Sequence, residues 1–182
     1  IYAQNNTGGL CVDVEPVALR SVNGGGQIIK EIGSKAKDDL KVSFGGHLDD
    51  IDGGRVCEWQ VNFHNVGDNE LDKAKFHTTD CFDLTTWPPD THSDFDPQSD
   101  GVARFYANGT FNGEPDYSAI FRMEDYTEPR VKDTIRIEIY APASEGGALV
   151  YDTLADWGYE SDNVGTARAL LDSGNIQIMF YE

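Results

Sequence analysis

Between Asp133 and Tyr140 every second residue is an isoleucine, Ile135, Ile137 and Ile139, with Thr134, Arg136 and Glu138 between them. A period of two places alternate side chains on opposite faces of a strand, so the isoleucines are expected in a core and the polar residues in water. That is the pattern of an antiparallel strand with one wet face. It recurs at Ala148 to Thr153 and Ser173 to Tyr181, and upstream at Leu10 to Val14, Val17 to Val22, Gln27 to Ile32, Leu40 to His47, Val56 to His64, Ala74 to Leu84, Val102 to Phe111 and Tyr117 to Glu124. Only Asn163 to Asp172, capped by Asn163 and stopped at Ser173-Gly174, carries helix signals. The expectation is an all-β chain with almost no helix: an antiparallel β-sandwich, jelly-roll-like, of about ten to eleven strands.

Glycines punctuate these runs. Gly24-Gly25-Gly26, Gly45-Gly46, Asp52-Gly53-Gly54, Asn112-Gly113 and Gly146-Gly147 supply the positive-φ or close-approach positions that turns and bulges need. At 182 residues, with no internal repeat and no low-complexity linker, the chain is expected to form one β-sandwich domain over residues 22–182, preceded by an extension over residues 1–21.

Lysine and arginine number 14 against 32 aspartates and glutamates, a formal charge of -18. Such a surface repels phosphate backbones and anionic lipid faces, which argues against a nucleic-acid partner. No run of about 18 apolar residues is present to cross a bilayer as a helix. A start at Ile1 without an initiator Met, together with the acceptor triplets at Asn5 and Asn108, leads us to expect an exported, extracellular or cell-surface chain whose leader has been removed.

In that setting three cysteines imply one bridge and one remaining thiol, or a bond between chains. A hairpin turning about Asn69 would bring Cys57 and Cys81 to the same end, which favours that pair. Facing is the objection: Trp59, Val61 and Phe63 pack most naturally beside Ala74 and Phe76, leaving Cys81 on the other side unless a bulge intervenes. Cys11 to Cys57 is the alternative.

Signals for chemistry are sparse. There is no Gly-x-Ser-x-Gly elbow or cysteine-protease signature, and His47, His64, His77 and His92 show no paired-ligand spacing. His64 and His77 lie on adjacent strands of the expected hairpin, where they could approach one another. Two acidic stretches place carboxylates at alternate positions beside glycine, as calcium loops do: Asp49, Asp50 and Asp52, then Asp94, Asp96 and Asp100. Trp59 alternates with Val61 and Phe63 and belongs to the core. Trp87 and Trp157 fall in expected loops, where an indole face could stack on a sugar. Near the N-terminus Leu10, Val12 and Val14 alternate with Cys11, Asp13 and Glu15 behind a Gly8-Gly9 hinge, the form of a strand that adds to a sheet edge, either of a neighbouring copy or within its own domain.

The succession Val22 to Ile28, Asn112 to Phe121, Glu124 to Pro129, Asp133 to Ile139 and Ser173 to Ile178 resembles a secreted bacterial surface β-sandwich domain of the post-COAP (post choice-of-anchor) type, over about residues 22–180. The resemblance rests on turn and strand residues, so it implies a fold and a surface location and is nearly silent on activity. This chain departs from the pattern in its insertion from Thr85 to Asp100, its cysteines and its N-terminal extension. The resulting expectation is a non-catalytic structural subunit that assembles with copies of itself through Leu10, Val12 and Val14. The alternative is a calcium-dependent carbohydrate-binding or adhesin accessory domain using Trp87 and Trp157.

Overall fold

The computed structural model describes residues 19–30, 40–51, 54–64, 71–87, 101–126, 132–153 and 169–180. Ten strands form one antiparallel sheet: β1 (Leu19–Lys30), β2 (Leu40–Ile51), β3 (Gly54–His64), β4 (Lys75–Trp87), β5 (Gly101–Phe111), β6 (Glu114–Asp125), β7 (Thr134–Tyr140), β8 (Leu149–Asp152), β9 (Ala169–Leu170) and β10 (Ser173–Phe180). The only helical element among the described residues is a single 3-10 turn at Ala143–Glu145. The all-β, antiparallel class follows the alternation in the sequence.

The connectivity is a meander. Strands β1 to β8 each pair with the next in the chain, β10 returns to the outer side of β1, and β9 pairs with the start of β7. The sheet curls until β10 lies across from β5 and β6, so the two layers around the core are halves of one sheet. Val22, Val42, Leu48, Trp59, Val61, Phe63, Phe76, Phe105, Phe121, Ile137 and Ile176 point into the curl and are buried. At its centre the rings of Phe105 and Phe121 stack with centroids 4.8 Å apart, and Trp59 tilts against both.

Several glycines expected at turns lie inside strands. Gly24, Gly25 and Gly26 run through the middle of β1, and Gly45 and Gly46 through β2. Close approach accounts for three of them. A Cβ on Gly24 would sit 2.7 Å from the carbonyl oxygen of Asn175, one on Gly26 would sit 2.6 Å from that of Ser173, and one on Gly46 would overlap Glu58 and Trp59. Asn112-Gly113 does make a tight turn, with φ of 53° and 89°, and Gly146-Gly147 another at 89° and 62°.

Of the segment expected to be helical, residues 163–168 lie outside the described residues and the end contributes strand instead: Ala169–Leu170 pairs with Ile135 and Thr134, because the edge of β7 there offers main-chain partners that outweigh local propensity. β1 begins at Leu19, so the sheet takes in the last three residues of the expected extension.

β7 also corrects the opening expectation. Ile135, Ile137 and Ile139 are fully buried, but Thr134, Arg136 and Glu138 on the opposite face are buried as well, at 8%, 3% and 7% exposure. They are satisfied by pairing. The Arg136 guanidinium donates to Asp152 at 2.8 and 3.1 Å and to Glu138 at 3.3 Å, Arg122 pairs with the other Glu138 oxygen, and Thr134 donates to Glu124 at 2.8 Å. Burial, reinforced by the nearby charges of Arg136 and Arg104, lowers the pKa of Arg122 from its usual value.

Candidate functional site

The β3–β4 hairpin forms as expected, with Gln60 opposite His77 and Asn62 opposite Lys75. Beyond His77 the ladder stops, and the Thr78 hydroxyl takes over: it accepts from the Trp59 amide at 2.8 Å and donates to the Trp59 carbonyl at 3.2 Å. A bulge between Thr78 and Asp80 in the β4–β5 pairing then shifts the alternation by one residue. Phe76 and Cys81 therefore both face the core. Cys57 and Cys81 come within bonding distance as a disulfide, with Cα atoms 5.8 Å apart, so the facing objection is removed by the bulge it called for. The pair staples the two strands where their ladder has ended.

The splay of β3 from β4 leaves a hollow on the outer face. It is a depression of about 410 Å³ lined by Gly45, His47, Glu58, Gln60, His77 and Thr78, with Gly46 and Trp59. Register shows that it belongs to something longer. Asn175, Gly25, Gly45, Gln60 and His77 stand directly opposite one another on β10, β1, β2, β3 and β4, forming one row across the sheet. At about 4.8 Å per strand the row is about 19 Å long.

Two parallel rows flank this one. Gln177, Asn23, His47 and Glu58 lie on one side, and Ser173, Gln27, Ser43, Asn62 and Lys75 on the other. The central row carries no side chain at Gly25 and Gly45, so the flanking side chains rise as walls about 13 Å apart at their backbones. These walls are amides, hydroxyls and one imidazole, and their two charged members, Glu58 and Lys75, have opposite signs. In a chain of net charge -18, this face is electrically balanced.

The expected site residues are scattered by comparison. Asp49 and Asp50 lie in the β2 ladder opposite Val56 and Arg55. Asp52, Asp94, Asp96 and Asp100 lie outside the described residues, and among those described no group of three His, Cys, Asp or Glu side chains is placed to hold a metal. The backbone of Trp87 ends β4 opposite Val102, in strand where a loop was expected, and Trp157 lies outside the described residues. Trp59 is core, as its alternation indicated, with its indole Nε1 buried and unpartnered among the described residues. Asn108 is exposed on β5, while Asn5, Leu10, Cys11, Val12 and Val14 lie outside the described residues. His64 and His77 diverge: His64 sits 3.1 Å from the Ser43 hydroxyl, and His77 faces the hollow.

The two ends of the sheet are finished differently. On the side of β10 turned from β1, the Ile176 amide donates to Asp133 at 2.6 Å and the Ile178 amide to Asp125 at 2.9 Å. Asp133 also accepts from the Tyr126 amide at 2.9 Å. Carboxylates from the end of β6 and from the residue before β7 thus occupy the positions where carbonyls of a neighbouring strand would stand. At the other end β8 is only four residues long, and Leu149 is half exposed.

The sequence signal for the row was present in the glycine pairs Gly25 and Gly45 between polar alternations, but only register reveals that they are neighbours. No described helix is long and apolar enough to cross a membrane. Comparison of the chain with protein-family models, with curated proteins and with solved structures finds no match in any of the three.

Proposed function

We propose that this chain is a non-catalytic structural subunit of an extracellular filament or surface layer, whose copies join by adding a strand to a neighbour's sheet. The observation that supports it is the unequal finish of the sheet. At β10 the outward amides of Ile176 and Ile178 are stoppered by Asp133 and Asp125, which discourages indiscriminate pairing on that side. At β8, the last strand of the described sheet, Leu149 presents an apolar side chain to solvent.

An incoming strand with Leu10, Val12 and Val14 on one face could extend β8 and cover Leu149. Four residues provide few main-chain bonds, so side-chain contacts at Leu149 would carry much of the affinity. A donor strand passed from copy to copy makes a head-to-tail contact, which propagates as an open polymer unless the rotation closes a ring. The resemblance to secreted surface domains agrees with this reading.

The test is electron microscopy of the natively purified chain, with and without a calcium chelator, beside the variants Leu149→Asp and Leu10→Ser/Val12→Ser/Val14→Ser. The expected result is ordered filaments from the unaltered chain and folded, dispersed 20.1 kDa particles from either variant. Loss of filaments on chelation would bring the acidic segments at Asp49–Asp52 and Asp94–Asp100 into the contacts. Filaments from the donor variant, or dispersed particles from the unaltered chain in both conditions, would end the proposal.

A further inference from the structure

The glycines of the outer-face groove are not all explained by packing. Gly24, Gly26 and Gly46 have no room for a Cβ, as their inward contacts require. Gly45 is different. A Cβ there would point outward, with its nearest neighbours the Gly24 carbonyl oxygen at 3.5 Å and Gly25 Cα at 3.7 Å, which is ordinary van der Waals contact. Its φ is not in the left-handed region, so neither turn geometry nor crowding demands glycine. A glycine in mid-strand costs roughly 0.5–1 kcal/mol relative to alanine. What the missing side chain does create is the hollow itself, continuous with Gly25 on one side and with Gln60 and His77 on the other.

From this groove we infer that the face is a binding site for a neutral polysaccharide, laid across the strands from β10 to β4 over the floor of Gly25 and Gly45. The wall chemistry selects the ligand. Wall amides such as Asn23 and Gln27 both donate and accept, and sugar hydroxyls need that dual capacity. The hollow of about 410 Å³, at the β2 to β4 end of the row, falls in the ~300–1,000 Å³ range of small-molecule sites.

Other ligand classes fit less well. Protein contacts rely on buried aromatic, methionine and arginine anchors, and the groove rows contain none of these. Polyanions meet a chain of charge -18 with only Lys75 on these rows, and a metal finds no cluster among the described residues. Glu58, directly opposite His47, supplies a carboxylate that can accept from two adjacent hydroxyls. The inference stands independently of strand addition, because it uses the face of the sheet and not its edges.

The test is native affinity electrophoresis of the full chain in gels containing a soluble β-glucan, an α-mannan or a galactan, with polygalacturonate as the acidic control, followed by an array of neutral and acidic oligosaccharides. Two variants accompany it. Gly45→Thr fills the floor at a position where a Cβ meets only ordinary contacts, and Gln60→Ala removes an exposed amide of the central row. Retardation or array binding by a neutral glycan, weakened at least tenfold by Gly45→Thr while the thermal midpoint stays the same or rises, is the expected result, and Gln60→Ala should weaken it in the same direction. The inference is overturned if no neutral glycan binds, if polygalacturonate binds as well, or if Gly45→Thr binds like the unaltered chain. Loss of binding on Trp87→Ala but not on Gly45→Thr would also overturn it, placing the sugar elsewhere.

Discussion

Replacing Asp133 by asparagine should cost this protein about 2–4 kcal/mol. Asp133 is 5% exposed, and its two carboxylate oxygens serve two different amides, Tyr126 at 2.9 Å and Ile176 at 2.6 Å. Its main-chain carbonyl holds the Leu171 amide as well, but that bond survives the substitution. An asparagine side chain offers one oxygen and one NH2, so whichever way it turns, one buried N–H meets a donor. An unsatisfied buried amide costs about 1–3 kcal/mol, and the remaining bond loses its charge assistance, worth about 1 kcal/mol more. Against a typical total of about 5–15 kcal/mol the loss is large. Urea unfolding should show the midpoint falling with an unchanged slope, and hydrogen exchange should show the Ile176 amide losing protection. Asp80→Asn, at an exposed position, serves as the control and should stay within about 0.5 kcal/mol of the parent. If Asp133→Asn also stayed within that margin with Ile176 still protected, the carboxylate would not be what closes the β10 edge.

The same packing leads to three further outcomes. Converting Cys57 and Cys81 to serine opens a loop spanning a sequence separation of 24 residues, and the chain-entropy estimate for that length is about 3–4 kcal/mol, measurable as the stability difference between the parent and the double variant. Gly46→Ala forces a Cβ against Glu58 and to 2.6 Å from Trp59 Cα, so it should destabilise by about 1–3 kcal/mol, whereas Gly45→Ala should be neutral or slightly stabilising by the same thermal melts. Arg136→Met removes the buried guanidinium shared by Asp152 and Glu138, leaving Glu138 its pairing with Arg122, and should cost about 3–5 kcal/mol in urea unfolding; adding Asp152→Asn should recover part of the loss, since the penalty lies in the buried negative charge that Arg136 offset.

The β7 network shows where local reasoning stops. Thr134, Arg136 and Glu138 carry the pattern of a wet strand face, and nothing in that octapeptide indicates that Asp152 and Arg122 will stand beside them. Those partners arrive from β8 and β6, 14 or more residues away in the chain, and turn a hydrophilic face into a buried one. Similarly, the triple glycine at Gly24 to Gly26 reads as a turn until β10 and β2 come close on either side, where the need for backbone contact keeps the strand straight through it. The segment from Asn163 carries helix caps, but Ala169 and Leu170 near its end pair with the edge of β7 that faces away from β6.

By itself the amino-acid order determined the all-β class, the β3–β4 hairpin, the core role of Trp59 and the favoured cysteine pair, because each depends on a period of two, a turn signal or a short separation along the chain. Tertiary structure alone decided that the layers are one curled sheet, that carboxylates seal β10, and that Gly25 and Gly45 align into a groove. Those features depend on register between strands: two glycines about twenty residues apart become neighbours only when β1 and β2 pair at one offset, and a shift of a single residue would carry Gly25 away from Gly45.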